Sequence, residues 1–196
     1  MGNEREFEVL AASRADAQRL AELRTAAFAV LEIDRTIWPN VDVEEHNELT
    51  AARYVEQMGD ENKRIMKAVL SDASTGQEVI VGCATWIMPM TDDEAAADGA
   101  REAARGFAFA RGSNVEVAER FFSDMGKHGE LVQRESGPHI HLAILATDEV
   151  YRKQAKGVGR TCLAHSLLST YKRILTRRVA QVHCWRMACG SQESEA

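Results

Sequence analysis

The stretch HIHLAILAT, residues 139–147, is apolar at almost every position after His141. A strand with one face in water alternates apolar and polar residues, whereas a strand without that alternation is covered on both faces. This restricts the chain to a layered architecture in which helices pack on a sheet. The stretch is followed by a polar turn, by Gln154-Ala155-Lys156-Gly157-Val158-Gly159, and by residues 158–175. In that last run Leu163, Leu167, Tyr171 and Ile174 recur at helical spacing and predict a helix with one face on the sheet. A final short strand is expected over 179–185. Strand, helix and strand in that order form a crossover, which joins parallel neighbours.

The earlier chain reads differently. Residues 6–12 predict a first strand, and Ser13 stands three positions before Asp16 as a helix start ahead of residues 17–30. The run IWPN breaks the chain before a second helix over 43–58. Two strand-like runs, 64–71 and 78–88, flank DASTGQ, whose Asp, Ser, Thr and Gly predict a hairpin turn. From 91 to about 127 the composition turns helical, interrupted by RGSN at 111–114, and DDEAAADGARE reads as a solvated helix face. The expected fold is therefore α/β, a mixed central sheet flanked by helices in the order β-α-α-β-β-(helices)-β-α-β. With 196 residues it forms one domain over 1–190, followed by a short tail at 191–196.

Charge is distributed unevenly. The net charge is −6, yet nine Lys or Arg and not one Asp or Glu fall between 150 and 192. An acidic chain with one basic segment does not suit general nucleic-acid binding but suits local capture of a compact polyanion. No apolar run reaches the length of a membrane span, and the first residues carry no secretory pattern. Cys83, Cys162, Cys184 and Cys189 are scattered without a CxxC pair, and no common metal-ligand spacing is present. No metal and no membrane or nucleic-acid partner are expected, and dispersed thiols fit a reducing, cytoplasmic setting.

The glycine-bearing turn carries the chemistry. The first turn of a helix has backbone N–H groups without intrahelical partners, and the helix dipole adds partial positive charge there. A phosphate suits such a site, and Gly157 and Gly159 let an anion approach backbone that a Cβ would shield. Arg152, Lys153, Lys156 and Arg160 add positive charge around it. The pattern G-x-x-x-x-G-K-[ST] is missing, which excludes an ATP-type loop, and G-x-G-x-x-G with a later acidic residue is missing too, which argues against a dinucleotide fold. The alternative is a plain tight turn with solvated lysines.

Leu145-x-Thr147, the polar turn, Gln154-x-x-Gly157-x-Gly159 and the amphipathic run resemble the acetyl-CoA signature of the GNAT superfamily of N-acetyltransferases. That family's loop reads Arg or Gln, two residues, Gly, one residue, then Gly or Ala. VIVGCATW looks like the family's third strand, and LATDEVYRKQ resembles fungal-type members. The resemblance implies acetyl-CoA as co-substrate and an amine acceptor. It implies that Gln154, Ala155, Lys156, Gly157, Val158, Gly159 and Arg160 hold the pyrophosphate, and that the main chain of Leu145, Ala146 and Thr147 lies along the pantetheine arm. It makes the Leu145 N–H the oxyanion donor. The chain also departs from the family. Glu149 stands where a proline is common, about two more residues precede the glycines, and the sequence past the crossover helix is short, with no tyrosine after Tyr171. A shortened C-terminal part is the expectation, with a non-catalytic or truncated coenzyme A-binding module as the alternative function.

Acetyl transfer to an amine needs a base for the ammonium proton, a donor for the oxyanion and a proton for the leaving sulfur. His139 and His141 share a strand face and titrate near neutrality, so they are the candidate bases, with strand-end surface residues as the alternative. Asp148 and Glu149 read as solvated or loop-capping, and Trp86 as core. Cys162 has no histidine base placed for acyl-enzyme chemistry, so direct transfer to a small-molecule amine is expected.

Overall fold

A computed structural model describes residues 7–71, 78–154 and 182–183. Strand β1 (Phe7–Ala11) leads through a single 3-10 turn into helix α1 (Ala17–Phe28), then α2 (Glu32–Ile37) and α3 (Val43–Gln57). Strands β2 (Lys63–Ser71) and β3 (Glu78–Ile87) follow, then α4 (Asp92–Arg105), α5 (Val115–Ser136), β4 (Ile140–Thr147), α6 (Glu149–Gln154) and β5 (Val182–His183). The sheet order is β1-β2-β3-β4-β5. Each neighbouring pair from β1 to β4 is antiparallel, and β5 runs parallel to β4. The expected mixed sheet flanked by helices is what the chain forms.

Local chemistry explains the elements. Asp16 accepts from both the N–H and the hydroxyl of Ser13 at 2.7 Å, which satisfies orphan donors at the entry to α1 as the Ser-x-x-Asp spacing anticipates. Leu20 and Leu23 of α1, with Ala51 and Tyr54 of α3, close over Ile65, Cys83 and Ala146 of the sheet. Burial of a leucine such as Leu20 contributes about 2 kcal/mol. The opposite face carries Val9, Ala68, Leu70 and Val81, joined by Tyr151 of α6, and beside them Ala84, Trp86, Ile140 and Leu142. Trp86 is core, as its strand setting predicts.

Three segments differ from expectation. Helix α2 forms where the sequence suggests only a connection; it turns Ile37 inward, and Thr36 caps back onto the Glu32 carbonyl at 2.9 Å. Helix α5 continues to Ser136 rather than stopping near 127. The polar turn after β4 is the short helix α6. The expected crossover helix over 158–175, the glycine turn from 155 and the tail at 191–196 lie outside the described residues.

Helix α4 has an unusual anchor: its one buried residue is Asp98. The Lys63 ammonium, 7 % exposed, reaches Glu102 at 2.6 Å, Asp60 at 3.2 Å and Asp98 at 3.7 Å. Arg53 of α3 bonds Glu102 at 3.0 Å and lies 4.3 Å from the centre of the Phe107 ring. Burial pulls the Lys63 pKa down, but the hydrogen bond and charge of Glu102, with Asp98 and Asp60, outweigh it and hold the group above its ordinary value. Charge pairing, in place of an apolar stripe, holds this helix to the sheet.

Candidate functional site

The site is organised by β4. Its pairing with β3 runs Thr147↔Gly82, Ala146↔Cys83, Leu145↔Ala84 and Ile144↔Thr85, then resumes at Leu142↔Trp86 and His141↔Ile87. Ala143 is therefore an extra residue, a β-bulge. Its consequence follows from the period of two along a strand. Cys83, Thr85 and Ile87 share the face covered by α1 and α3, and His141 is paired to Ile87 on that face. Without the bulge, the alternation from Ile144 backwards would turn His141 to the other face. The apolar run hides this shift, because a strand without alternation gives no sign of register.

Main-chain direction follows in the same way. The Asp148 N–H donates to the Val81 carbonyl at 2.9 Å, so Asp148 points its amide at β3. In an antiparallel ladder successive residues point their amides to opposite sides. The main-chain groups of Thr147 and Leu145 consequently point away from β3, toward the β5 side. The parallel pairing with β5 comprises Ile140↔Val182 and His141↔His183. The described β4–β5 pairing does not extend past His141. An extended ligand arm alongside that edge would meet Leu145 and Thr147 as an added strand meets a sheet edge.

The two histidines come together. Their ring centres are 6.4 Å apart. His139 is buried, and its Nδ1 lies 2.8 Å from the Gly137 carbonyl. A carbonyl only accepts, so Nδ1–H donates, and this bond fixes the ring. Gly137 holds φ +66 at the end of α5, a conformation that suits glycine and turns the chain into β4. Burial, followed by the nearby His139, lowers the His141 pKa below its ordinary value, so the ring is neutral at pH 7.

On the same face, the Tyr54 phenol stands beside Cys83 and Thr85, and burial raises its pKa so that it stays protonated. Sequence reading missed Tyr54, although its spacing of three from Ala51 on an amphipathic helix was available. It also missed the interacting groups Asp34 of α2, Arg24 of α1 and His46 of α3. Burial raises the Asp34 carboxyl to about 6 against the opposing charge of Arg24. Burial and the same arginine hold His46 down to about 4. The Trp38 ring lies 4.8 Å from that of His46.

Asp148 is a capping residue. Its Oδ1 accepts the Val150 N–H at 3.0 Å, its carbonyl accepts the Tyr151 N–H at 3.1 Å, and its Oδ2 meets Arg19 at 3.0 Å. Of the residues anticipated for coenzyme binding, Leu145, Ala146 and Thr147 sit in order on β4, and Gln154 ends α6. Ala155, Lys156, Gly157, Val158, Gly159 and Arg160, like Cys162, lie outside the described residues.

A separate polar groove of about 450 Å3 is lined by Glu56, Asp60, Asp98, Arg101, Glu102 and Arg105 among others. Its charges engage one another: Arg101 binds Asp98 at 2.8 Å, and Arg105 binds Glu102 at 3.2 Å and Glu56 at 3.3 Å. It belongs to the anchoring of α4. Among the described residues no group of three or more His, Cys, Asp or Glu is placed to hold a metal ion. None of the described helices is long and apolar enough to cross a membrane.

No protein-family model matches the chain, and no curated protein matches it. Among solved structures, it is similar to a Corynebacterium glutamicum histone acetyltransferase and related acetyltransferase, with 23 % identity and a TM-score of 0.46 over 84 % of this chain and 71 % of that one. A ribosomal-protein-alanine N-acetyltransferase from Brucella melitensis biovar Abortus gives 10 % identity and a TM-score of 0.44, covering 97 % of both chains. A GNAT family acetyltransferase from Brucella melitensis, in complex with acetyl-CoA, gives 11 % identity and 0.42 over 86 % of this chain and 71 % of that one.

Proposed function

We propose that the chain is an acetyl-CoA-dependent N-acetyltransferase of the GNAT kind that transfers an acetyl group to the amine of a small molecule by direct attack. The observation that carries this reading is the edge of β4. The Leu145 and Thr147 main chain points away from β3, the bulge at Ala143 turns His141 to the helix-covered face, and the glycine-bearing loop follows in sequence. A thioester arm extended along that edge runs from the phosphate-holding turn at one end of β4 toward the histidines at the other.

In this reading the pantetheine amides pair with the main chain of Leu145 and Thr147, and the arm passes alongside Ala146 between them. Gln154, Ala155, Lys156, Gly157, Val158, Gly159 and Arg160 hold the pyrophosphate through backbone N–H groups. The acceptor nitrogen attacks the thioester carbonyl carbon, and the developing oxyanion is met by the Leu145 N–H. His141, neutral at pH 7, takes the ammonium proton, directly or through a water. His139, fixed by Gly137, lies beside it as the alternative acceptor of that proton. As the carbon–nitrogen bond forms, the carbon–sulfur bond breaks, and the departing thiolate takes a proton from solvent. The chemistry needs no metal. Cytoplasmic residence fits the dispersed cysteines.

Thiol release from acetyl-CoA, followed across a panel of small amines, tests the proposal. Acceptor-dependent, saturable release is expected. A folded chain that binds acetyl-CoA but releases no thiol with any amine would assign the non-catalytic module instead.

A further inference from the structure

Helix α1 turns an arginine inward without giving it an ion pair among the described residues. Ala17, Leu20 and Ala21 lie on the buried stripe of the helix, and Arg24 takes the next helical step along it, ahead of Phe28. Its guanidinium carbon lies 5.8 Å from the centre of the Phe28 ring. Nε is occluded and finds no acceptor among the described residues. The residue as a whole is only partly buried, so the outer nitrogens of the fork stay open to a ligand. Arg19, Arg53, Lys63 and Lys67, the other partly or wholly buried lysines and arginines among the described residues, each hold a carboxylate within 3.0 Å. Arg24 has no such partner among them. Asp34 of α2 is near enough for the two charges to interact, yet forms no ion pair with it.

The position of Arg24 along the sheet follows from its neighbours. Arg19, near the start of α1, meets the Ile80 carbonyl at 3.4 Å and Asp148 at 3.0 Å, at the end of β4 remote from the histidines. Leu20 and Leu23 then pack with Cys83 and Ala146. Arg24 comes after them and lies about 7–8 Å beyond Arg19 along the helix. Its charge bears on the Tyr54 phenol, which stands beside Cys83 and Thr85. Helix α1 therefore carries Arg24 toward the half of the sheet that holds Thr85, Leu145 and His141.

We propose that Arg24 is a specificity-determining residue for the acceptor: its guanidinium binds a carboxylate, and the amine substrate carries that carboxylate, as amino acids do. This inference rests on the acetyltransferase reading. A planar guanidinium matches a carboxylate through two parallel N–H donations. An occluded donor without a partner is destabilising, so stability alone would place an apolar side chain at this step of the stripe. A substrate carboxylate supplies the counter-charge that the described residues do not. Asp34 bears on the same guanidinium and competes with that carboxylate.

The experiment compares the parent chain with Arg24→Met, Arg24→Lys and Asp34→Asn. The acceptors are amino acids, each beside its carboxamide, which keeps the amine and removes the negative charge, together with plain alkylamines. Thiol release gives kcat and KM, and melting gives Tm. The quantity read is kcat/KM for the acid over that for its carboxamide, compared between variant and parent so that the differing basicity of the two amines cancels. Arg24→Met should lower that ratio about tenfold to a hundredfold, the range of a hydrogen bond to a charged group, through a raised KM for the acid. Its Tm should equal or exceed the parent's, because methionine suits the stripe. Arg24→Lys, which keeps the charge without the fork, should lose less. Asp34→Asn removes the competing anion and should move the ratio the other way. A parent that acetylates plain amines but no amino acid would overturn the inference and leave the acetyltransferase reading intact. So would a parent-like ratio in Arg24→Met, whether or not its Tm falls. A folded parent that releases no thiol with any acceptor would overturn both.

Discussion

Replacing His141 with alanine lowers kcat for acetyl transfer roughly a hundredfold or more while the acetyl-CoA KM stays near that of the parent. The expectation follows from position and protonation together. The bulge at Ala143 turns the His141 side chain to the face shared with Thr85, and the typical loss on removing a general base is about 10²–10⁴-fold. The same residue sets a pH signature. Burial and the neighbouring His139 lower the His141 pKa, so the neutral, proton-accepting form persists to a lower pH than for an ordinary histidine. The parent kcat/KM should therefore rise with pH along a limb whose midpoint lies below 6.5 and be level by neutrality. Steady-state rates from pH 5 to 8 check this. In His141→Ala the limb should disappear; if it persists unchanged at a parent-like rate, His141 is not the base.

Replacement of Gly112 with alanine should destabilise the fold by about 2–4 kcal/mol. Gly112 holds φ +81, and a Cβ there would sit 1.9 Å from the Asn40 carbonyl oxygen and 2.6 Å from its carbon. Backbone atoms do not swing aside as a flexible side chain does, so the loop must lift. That loop fastens the α4–α5 insertion to the α2–α3 connection. The Asn114 N–H donates to the Ile37 carbonyl at 2.7 Å, and the Asp42 N–H to the Arg111 carbonyl at 2.9 Å. The Arg111 guanidinium adds Asp42 at 2.7 Å and Glu45 at 3.1 Å. Lifting the loop strains or breaks these bonds together. A drop in Tm of about 5–10 °C is expected for a chain of this size. Gly106 supplies the control, since it has φ +66 with nothing within 4 Å of the place a Cβ would take. Gly106→Ala should lose only the backbone strain, on the order of 1 kcal/mol. Equal losses at the two positions would show that the clasp contributes nothing.

The elements that the sequence made legible share a physical cause. The hairpin strands, α1 and α3 each carry a periodic pattern bounded by a cap or a turn, and their ends fall within about two residues of expectation. Ser13 and Asp16 cap as their spacing implied. Helix α2 was missed because six residues cannot show a period, and its formation depends on Ile37 finding the core. Helix α5 runs past its expected end although Gly126 and Gly129 lie inside it. Both sit with open space around the Cβ position, and a glycine in a helix interior costs only about 1 kcal/mol. At the site, the order Leu145, Thr147, Asp148 could be read from letters, whereas the bulge at Ala143 could not. Nor could the bond from Arg19 to Asp148, which no local pattern joins across 129 positions.

The central claim is that the edge of β4 and the loop beyond it hold acetyl-CoA. Calorimetric titration of acetyl-CoA into the purified chain, beside Gly159→Trp, tests it most directly. Saturable one-to-one binding is predicted for the parent and none for the variant, whose indole would fill the space the pyrophosphate needs. A folded parent that takes up no heat at tens of micromolar would contradict the claim, as would a variant that binds as tightly as the parent.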